Sequence, residues 1–312
     1  MTESIQVRNV GIIGGGLMGT GIAEVTALAG YPTTVVKATP GDPSGALDRI
    51  KRSMDRRVER GKLDAADATA ALSRIECTAD RSALAGADLV IESIVEDLQV
   101  KRALFADLDA RCTSDAVFAS NTSTLRIADI VGDGSGRRDR TIGLHFFSPV
   151  PAMSLVELAH LPHTDPRVLA GAEAFIGALG KTAVPVLDST GFVVNRLLVP
   201  YLIGAIAAYQ QGLARPDQID TAMKLGCGHP LGPLALSDLI GLDVVYAMSK
   251  LLYRDFGESR YQPPALLRRL VQNGHLGKKS GLGFYDYSHK PAVANDTIWD
   301  LVRAGALRES VG

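Results

Sequence analysis

Val10-Gly11-Ile12-Ile13-Gly14-Gly15-Gly16-Leu17-Met18-Gly19-Thr20-Gly21-Ile22-Ala23 is the stretch that decides the fold. Val7 to Ile13 reads as a short apolar strand, a G-x-G-x-x-G run follows at once, and Thr20 to Ala29 reads as a helix. The glycines permit a tight turn and let the backbone approach a pyrophosphate. The helix N-terminus offers N–H groups and a partial positive charge to that anion. The run alone is a weak signal, since any glycine-rich turn can carry it. Placed between a first strand and a first helix, it indicates dinucleotide binding. Gly14, Gly16, Leu17, Met18 and Gly19 are therefore candidate cofactor-binding residues.

Outward from this turn, strands and helices alternate, which predicts an α/β fold with a doubly wound, mostly parallel sheet. Gly30-Tyr31-Pro32 ends the helix and Thr33-Thr34-Val35-Val36 is the second strand. Lys37 follows, where an NAD site usually places an acid on the adenosine ribose. Lysine has donors and no acceptor, so the cofactor preference is expected to shift toward NADP(H), with Thr39 adding a hydroxyl contact. Asp42, five residues on, is the alternative ribose partner. Ser44 to Arg60 is a charged helix, followed by a shorter one to Leu72. Arg49, Lys51, Arg52, Arg56, Arg57 and Arg60 make either a solvated face or a surface for a phosphate-rich substrate tail. Ile75 to Thr78 and Leu89 to Ile91 are strands. Glu92-Ser93-Ile94-Val95-Glu96 leads into a helix from Asp97 to about Cys112. Val117 to Ser120 is a strand ending in Asn121-Thr122-Ser123-Thr124, whose short polar side chains either face the ligand or cap a helix before Ile127.

Ile142-Gly143-Leu144-His145-Phe146-Phe147-Ser148-Pro149 reads as a buried strand that carries one histidine to its end and stops at a proline. Glu157 lies inside the apolar segment Ser154-Leu155-Val156-Glu157-Leu158-Ala159, where a carboxylate is costly unless paired. An imidazole oriented by that carboxylate would be a tuned general base. A core histidine and an edge-strand glutamate with no joint role is the alternative. A helix from about Asp165 to Leu179 and a strand from Thr182 to Val186 follow.

After Asp188-Ser189-Thr190-Gly191 the period changes. Phe192 to Tyr209, with Asn195 in its first turns, Pro216 to Leu225, Gly241 to Phe256 and Pro264 to Asn273 read as helices. The expected division is a dinucleotide-binding domain over 1–188, an all-helical substrate and dimerisation domain over 189–289, and a tail over 290–312 with a possible short helix from Thr297 to Arg303.

Composition narrows the classes. A chain of 312 residues is long enough for two domains, and 46% hydrophobic with 21% charged residues describes a soluble globular protein. The formal charge of -1 leaves no basic footprint for nucleic acid, and aromatics are few. Three separated cysteines make neither a disulfide framework nor a metal-ligand spacing. No metal, no membrane span and no secretory leader are expected, and the compartment is expected to be the cytoplasm.

With these residues in view, the chain resembles the short-chain L-3-hydroxyacyl-CoA dehydrogenases, especially the 3-hydroxybutyryl-CoA type, from about Val10 to Tyr287. The resemblance rests on Gly14 to Gly19, Ser120-Asn121-Thr122-Ser123, Gly143 to Pro149, Gly191-Phe192-Val193-Val194-Asn195-Arg196, Gly228-His229-Pro230-Leu231-Gly232-Pro233 and Gly277-Lys278-Lys279-Ser280-Gly281. It implies a Rossmann domain followed by a helical domain that makes most of a homodimer interface. It implies His145 as the base, Glu157 as its orienting partner, and Ser123 and Asn195 on the substrate's C3 oxygen and thioester. Glu96 and Lys101 match positions lining the cofactor site, with Asn121 among the strand-exit residues. Ser53 and Arg60 match positions near the pantetheine and phosphates of coenzyme A. Two residues depart from the pattern: Lys37 replaces the family's acid, and Ser148 replaces an asparagine near the nicotinamide. The implied activity is hydride transfer with NAD(P) on a 3-hydroxyacyl thioester. The carrier is coenzyme A or, in a biosynthetic relative, an acyl-carrier protein. A non-catalytic dinucleotide-binding sensor is the reading of a different class.

Overall fold

The computed structural model describes residues 4–39 and 41–303. Residues 1–3 and 304–312, parts of the stretches read for a leader and for a tail, lie outside the described residues. The chain divides into two compact units, Met1–Phe192 and Val193–Gly312.

The first unit contains, in order, β1 (Val10–Ile13), α1 (Leu17–Leu28), β2 (Thr33–Val36), α2 (Ser44–Glu59), α3 (Ala65–Leu72), β3 (Ile75–Thr78), β4 (Leu89–Glu92), α4 (Leu98–Asp109), β5 (Val117–Ser120), α5 (Ile127–Val131), β6 (Thr141–Phe146), β7 (Leu155–His160), α6 (Pro166–Ala178) and β8 (Thr182–Leu187). One eight-stranded sheet runs β3-β2-β1-β4-β5-β6-β7-β8. Neighbours are parallel except β6 and β7, which pair antiparallel. The strand order reverses beside β1, so a crevice opens at the carboxyl ends of β1 and β4, where such sheets bind ligands.

Both faces of the sheet are covered, so successive strand residues enter opposite cores. Ile12, Val35, Ile91 and Leu144 pack with α1 and α6 residues such as Ile22 and Phe175. Ile13, Val36, Val90 and Phe118 pack with Leu104, Phe105 and Leu108 of α4. That is why these strands read as continuous apolar runs rather than alternations. The first strand begins at Val10, not Val7, because Arg8 and Asn9 donate their N–H groups to the Asp88 carboxylate instead of a ladder. Glu157 is not on an edge: β8 covers β7, and β8, with Pro185 and mostly exposed side chains, is the edge strand.

The second unit holds α7 (Val194–Gln210), α8 (Pro216–Cys227), α9 (Pro233–Ile240), α10 (Leu242–Phe256), α11 (Ala265–Gln272), the two-residue strands β9 (Tyr285–Asp286) and β10 (Val293–Ala294), and α12 (Asp296–Arg303). Val199, Ile206, Tyr209, Leu234, Val245, Leu267 and Phe284 form its core. The strand pair is a departure from an all-helical unit. So is α9, whose eight residues between Gly232 and Gly241 are too few for a period to show, although Pro233 at its first position is a helix-start residue. Two buried aspartates hold this unit's loops. Asp220 accepts from Leu234 N (2.8 Å), Ala235 N (2.8 Å) and the Tyr285 hydroxyl (2.7 Å). Asp238 accepts from Phe284 N (3.1 Å), Tyr285 N (3.0 Å) and the Tyr287 hydroxyl (3.2 Å). Among the described residues, no helix is long and apolar enough to cross a membrane.

Candidate active site

The glycine turn joins β1 to α1 and is closed by its own packing. Gly14 has φ +114°, and a Cβ there would run into the Ser93 carbonyl. A Cβ on Gly19 would run into the carbonyl of Gly14, so α1 can approach β1 this closely only without one. Gly16, the residue that begins α1, differs: a Cβ there would meet nothing within 4 Å, and no side chain caps the helix. The first N–H groups of α1 are thus presented to an open approach, which suits a pyrophosphate. A cavity of about 860 Å³ lies over this turn, lined by Gly14, Gly16, Leu17 and Met18 and by Lys37 beyond β2. Leu17 is 75% exposed, a large apolar residue with no partner in the unit's core. The residues fit a bound dinucleotide.

Next to the cavity, the exits of β4 and β5 are fastened by a buried ion network. Glu92, the last residue of β4, accepts from Lys101 Nζ (2.6 Å), Ile94 N (2.7 Å) and Ser120 Oγ (2.6 Å). Lys101 also faces Glu96 at 3.2 Å. Glu96 Oε1 in turn accepts from the Thr122 hydroxyl, Ser123 N (3.2 Å), Thr124 N (3.2 Å) and the Thr124 hydroxyl (2.8 Å). Burial would raise the Glu96 carboxyl, but the Lys101 charge and the threonine bonds outweigh it and hold the carboxyl below the usual range. The Asn121-to-Thr124 turn is therefore organised by a carboxylate, and α5 starts just beyond it. Asn121 links two walls: its amide donates to Ser93 Oγ (3.3 Å) on the cavity, and its oxygen accepts from Phe146 N (2.8 Å), beside His145.

Antiparallel pairing of β6 and β7 puts His145 directly opposite Glu157. Residues opposite one another project from the same face of a sheet, so the two side chains meet. His145 Nδ1 stands 2.7 Å from Glu157 Oε2, with both residues almost fully buried. A carboxylate can only accept, so Nδ1 carries the proton and the Nε2 lone pair is left for another partner. The Phe147 and Phe192 rings lie against the imidazole at 4.4 and 5.8 Å between centroids. Phe192 has φ +45°, a left-handed conformation rare for a bulky residue.

The other expected residues are placed as follows. Lys101 does not line the cavity; it is 1% exposed and lies beneath the strand exits. Glu96, Asn121 and Gly19 are not among the residues lining the cavity either, and Glu96 is exposed. Ser148 is exposed in the turn after β6. Ser53 is half-buried on α2, and Arg60 is exposed at that helix's end. Asn195 belongs to the second unit, in the first turn of α7, and is 8% exposed. Sequence reasoning gave no role to Glu92, Phe192 or Arg81, and it read Arg49 only as part of the basic face of α2; Arg49 and Arg81 both line the cavity. Glu92 did carry a signal: like Glu157, it is a lone carboxylate in an apolar strand, here as the strand's last residue.

A nucleotide crevice at the switch point of a doubly wound sheet, with a carboxylate-paired histidine two strands beyond its wall, defines the class of dinucleotide-dependent dehydrogenases. Two family models match consecutively: "3-hydroxyacyl-CoA dehydrogenase, NAD binding domain" over residues 9–189, and "3-hydroxyacyl-CoA dehydrogenase, C-terminal domain" over residues 191–287. The chain belongs to the 3-hydroxyacyl-CoA dehydrogenase family. With the family comes the activity class, an NAD-binding oxidoreductase of 3-hydroxyacyl-CoA thioesters. Similar proteins include a "3-hydroxybutyryl-CoA dehydrogenase" of Mycobacterium tuberculosis, 44% identical over 92% of this chain and 100% of that one. The human "Hydroxyacyl-coenzyme A dehydrogenase, mitochondrial" is 42% identical over 91% of this chain and 93% of that protein. The crystal structure of (S)-3-hydroxybutyryl-CoA dehydrogenase PaaH1 from Ralstonia eutropha superposes with a TM-score of 0.86 at 40% identity, covering 91% of this chain and 100% of that one.

Proposed function

We propose that the protein interconverts a short L-3-hydroxyacyl-CoA, of the 3-hydroxybutyryl type, and its 3-oxoacyl-CoA, with a nicotinamide dinucleotide in the crevice of the first unit. The observation that carries this reading is the buried His145–Glu157 pair at the exit of β6, tied through Asn121 to the cavity wall. The names of the relatives support the short acyl chain.

His145 Nε2 takes the 3-hydroxyl proton as C3 is oxidised, and in the reverse direction the imidazolium returns it to the oxygen at C3. Glu157 stabilises that imidazolium and holds its ring, as an acid does for histidine in a hydrolase triad. When bound, the nicotinamide supplies the hydride acceptor or donor for C3. Ser123 and Asn195 hold the C3 oxygen and the thioester region, and Glu96 positions Ser123 through the 122–124 turn. Lys101 is the buried counter-charge that keeps Glu96 ionised. Ser53 and Arg60 meet the pantetheine and phosphates of coenzyme A, a role supported by the basic face of α2. The exposed Leu197, Leu225 and Leu239 support a homodimer through the helical unit. An exposed Cys227 outside any disulfide suits a reducing cytoplasm.

The test is turnover of acetoacetyl-CoA with NADH and with NADPH, beside the same acyl group on acyl-carrier protein. Turnover of the CoA thioester is expected. Turnover of the carrier-protein thioester alone would change the substrate, and none with either would overturn the reading. Sedimentation at micromolar concentration is expected to give a dimer.

A further inference from the structure

The wall of the cavity around the end of β2 carries cations where an NAD site needs an acceptor. Lys37 is the first residue after β2, and its backbone N–H donates to Thr78 O (2.9 Å), which fixes its place at the strand's exit. Its ammonium lies close to Gly41: a Cβ built there would stand 2.9 Å from Nζ. Thr39 and Asp42 line the same stretch of wall. Arg49 reaches across from α2 and donates through Nε (3.1 Å) and Nη2 (2.6 Å) to the Gly15 carbonyl, inside the glycine turn. It has no carboxylate partner among the described residues. Arg81 completes the wall but is paired with Asp107 at 2.9 Å.

Asp42 is the one carboxylate among the described lining residues. It is committed to the turn into α2, accepting from Ser44 N (2.9 Å) and Ser44 Oγ (2.6 Å). Ser44 holds it in that turn and the Lys37 charge also acts on it, so it shapes the turn rather than receiving ribose hydroxyls. Three cations against this one acid leave the ribose end of the cavity net positive, even with Arg81 discounted for Asp107. A neutral 2′-hydroxyl gains little there. A phosphate monoester in its place would meet an ammonium at close range and the guanidinium donors that Gly15 leaves unused.

We propose that Lys37, with Arg49 and Thr39, forms a subsite for a phosphate on the 2′ position of the adenosine ribose, so that this protein prefers NADP(H). The inference rests on the reading of the cavity as a dinucleotide site and deepens it by naming which dinucleotide. Arg49 acts at both ends: anchored on the glycine turn, it bridges the pyrophosphate-binding backbone and the ribose wall.

Binding separates the two readings without turnover. Adenosine 2′,5′-bisphosphate and 5′-AMP differ only in the 2′-phosphate, and calorimetric titration of the whole protein with each reads the subsite alone. NADPH and NADH, followed by nicotinamide fluorescence, read it in the full cofactor. The bisphosphate and NADPH are expected to bind about ten- to a hundredfold tighter than their partners, the range of one charge-assisted contact. Lys37→Ala should remove most of that preference, and Lys37→Asp should reverse it. Arg49→Gln should weaken all four ligands, and the phosphorylated ones most. Equal binding of each pair, or tighter NADH, would overturn the subsite while the dinucleotide reading stands. A preference for NADPH that survives Lys37→Ala and Arg49→Gln would overturn the assignment to these residues. Failure of a folded protein to bind either cofactor would overturn both readings.

Discussion

Glu92 and Glu157 are buried carboxylates of the first unit, Asp220 and Asp238 of the second, and the two pairs do different things. In the first unit, Glu92 ends β4 and Glu157 lies within β7, and both meet nitrogen groups: Glu92 the Lys101 ammonium, Glu157 the His145 imidazole. In the second, Asp220 and Asp238 meet backbone N–H groups and tyrosine hydroxyls that bind the 282–287 segment to α8 and α9. The burial is alike, with Glu92, Glu157 and Asp238 at 0% exposure and Asp220 at 5%. Burial of an acid therefore does not mark chemistry. The partner does: an imidazole can pass a proton on, and a backbone amide cannot. Position agrees, since His145 stands at a strand exit in the sheet that builds the crevice.

The largest effect that would break this comparison lies at His145. His145→Gln is expected to lower turnover by about 10²–10⁴, the range for a positioned proton transfer, with cofactor binding unchanged. Glu157→Gln should fall between that variant and the wild type, because an amide can still bond the imidazole but cannot stabilise its positive form. Steady-state rates with acetoacetyl-CoA, beside cofactor Kd values, make the measurement. Near-normal turnover in a folded His145→Gln protein would put this pair in the same architectural role as the aspartates.

The converse change is Asp238→Ala. It strands the N–H groups of Phe284 and Tyr285 and the Tyr287 hydroxyl, at a cost of roughly 3 kcal/mol in stability. Urea denaturation should show this loss, with turnover per folded molecule little altered. The loss should also depend on pH. Burial pushes the Asp238 carboxyl up to about 7 against the opposing bonds from Tyr285 N, Phe284 N and the Tyr287 hydroxyl, with the Asp220 charge adding to the rise. A carboxyl raised in the folded state contributes stability that is full below its unfolded value of about 4 and is lost as pH rises through about 7. The stability gap between wild type and Asp238→Ala should therefore shrink from pH 4 to pH 7. A gap that widens over that window would place Asp238 with the ionised, bond-stabilised acids such as Glu96.

What could be read from the sequence follows the same division. The glycine turn, the mostly parallel sheet implied by alternation and the His145–Glu157 pair were legible, because each depends on local spacing or on one costly residue in an apolar run. Lys101 was expected on the cavity wall and lies behind it, because a helix's rotation about its axis is set by packing: Leu104 and Leu108 face the core and carry Lys101 under the strand exits with them. Arg49 was read only as one of six basic residues on α2, and Arg81 was not named, because they reach the cavity from α2 and from the segment after β3, and such convergence is a tertiary fact. The aspartates of the second unit were silent for the same reason: Asp238 and Tyr285 are 47 positions apart in the chain.

The smallest effect concerns α12, which lies beyond the residues that the family models match. Its Ile298 and Val302 are buried in the core of the second unit, and Trp299 stacks on Tyr209 with centroids 5.7 Å apart and planes at 18°. Tyr209 is fully buried, and its hydroxyl has no hydrogen-bond partner among the described residues, a cost set against the burial of its ring. Trp299 is half-buried, so Trp299→Ala removes one stack and part of one apolar face, roughly 1–2 kcal/mol, less than full truncation of a core aromatic. It should leave turnover unchanged, since Trp299 is none of the residues assigned to the crevice or to proton transfer. Trp299 is also the chain's single tryptophan, so its fluorescence reports on this helix without labelling. If α12 belongs to the same cooperative core as Tyr209, the fluorescence and circular dichroism transitions of the wild type coincide in urea. A fluorescence transition at clearly lower urea, with Tyr209→Phe leaving it in place, would show that the helix melts separately and that the stack contributes little to the unit it covers.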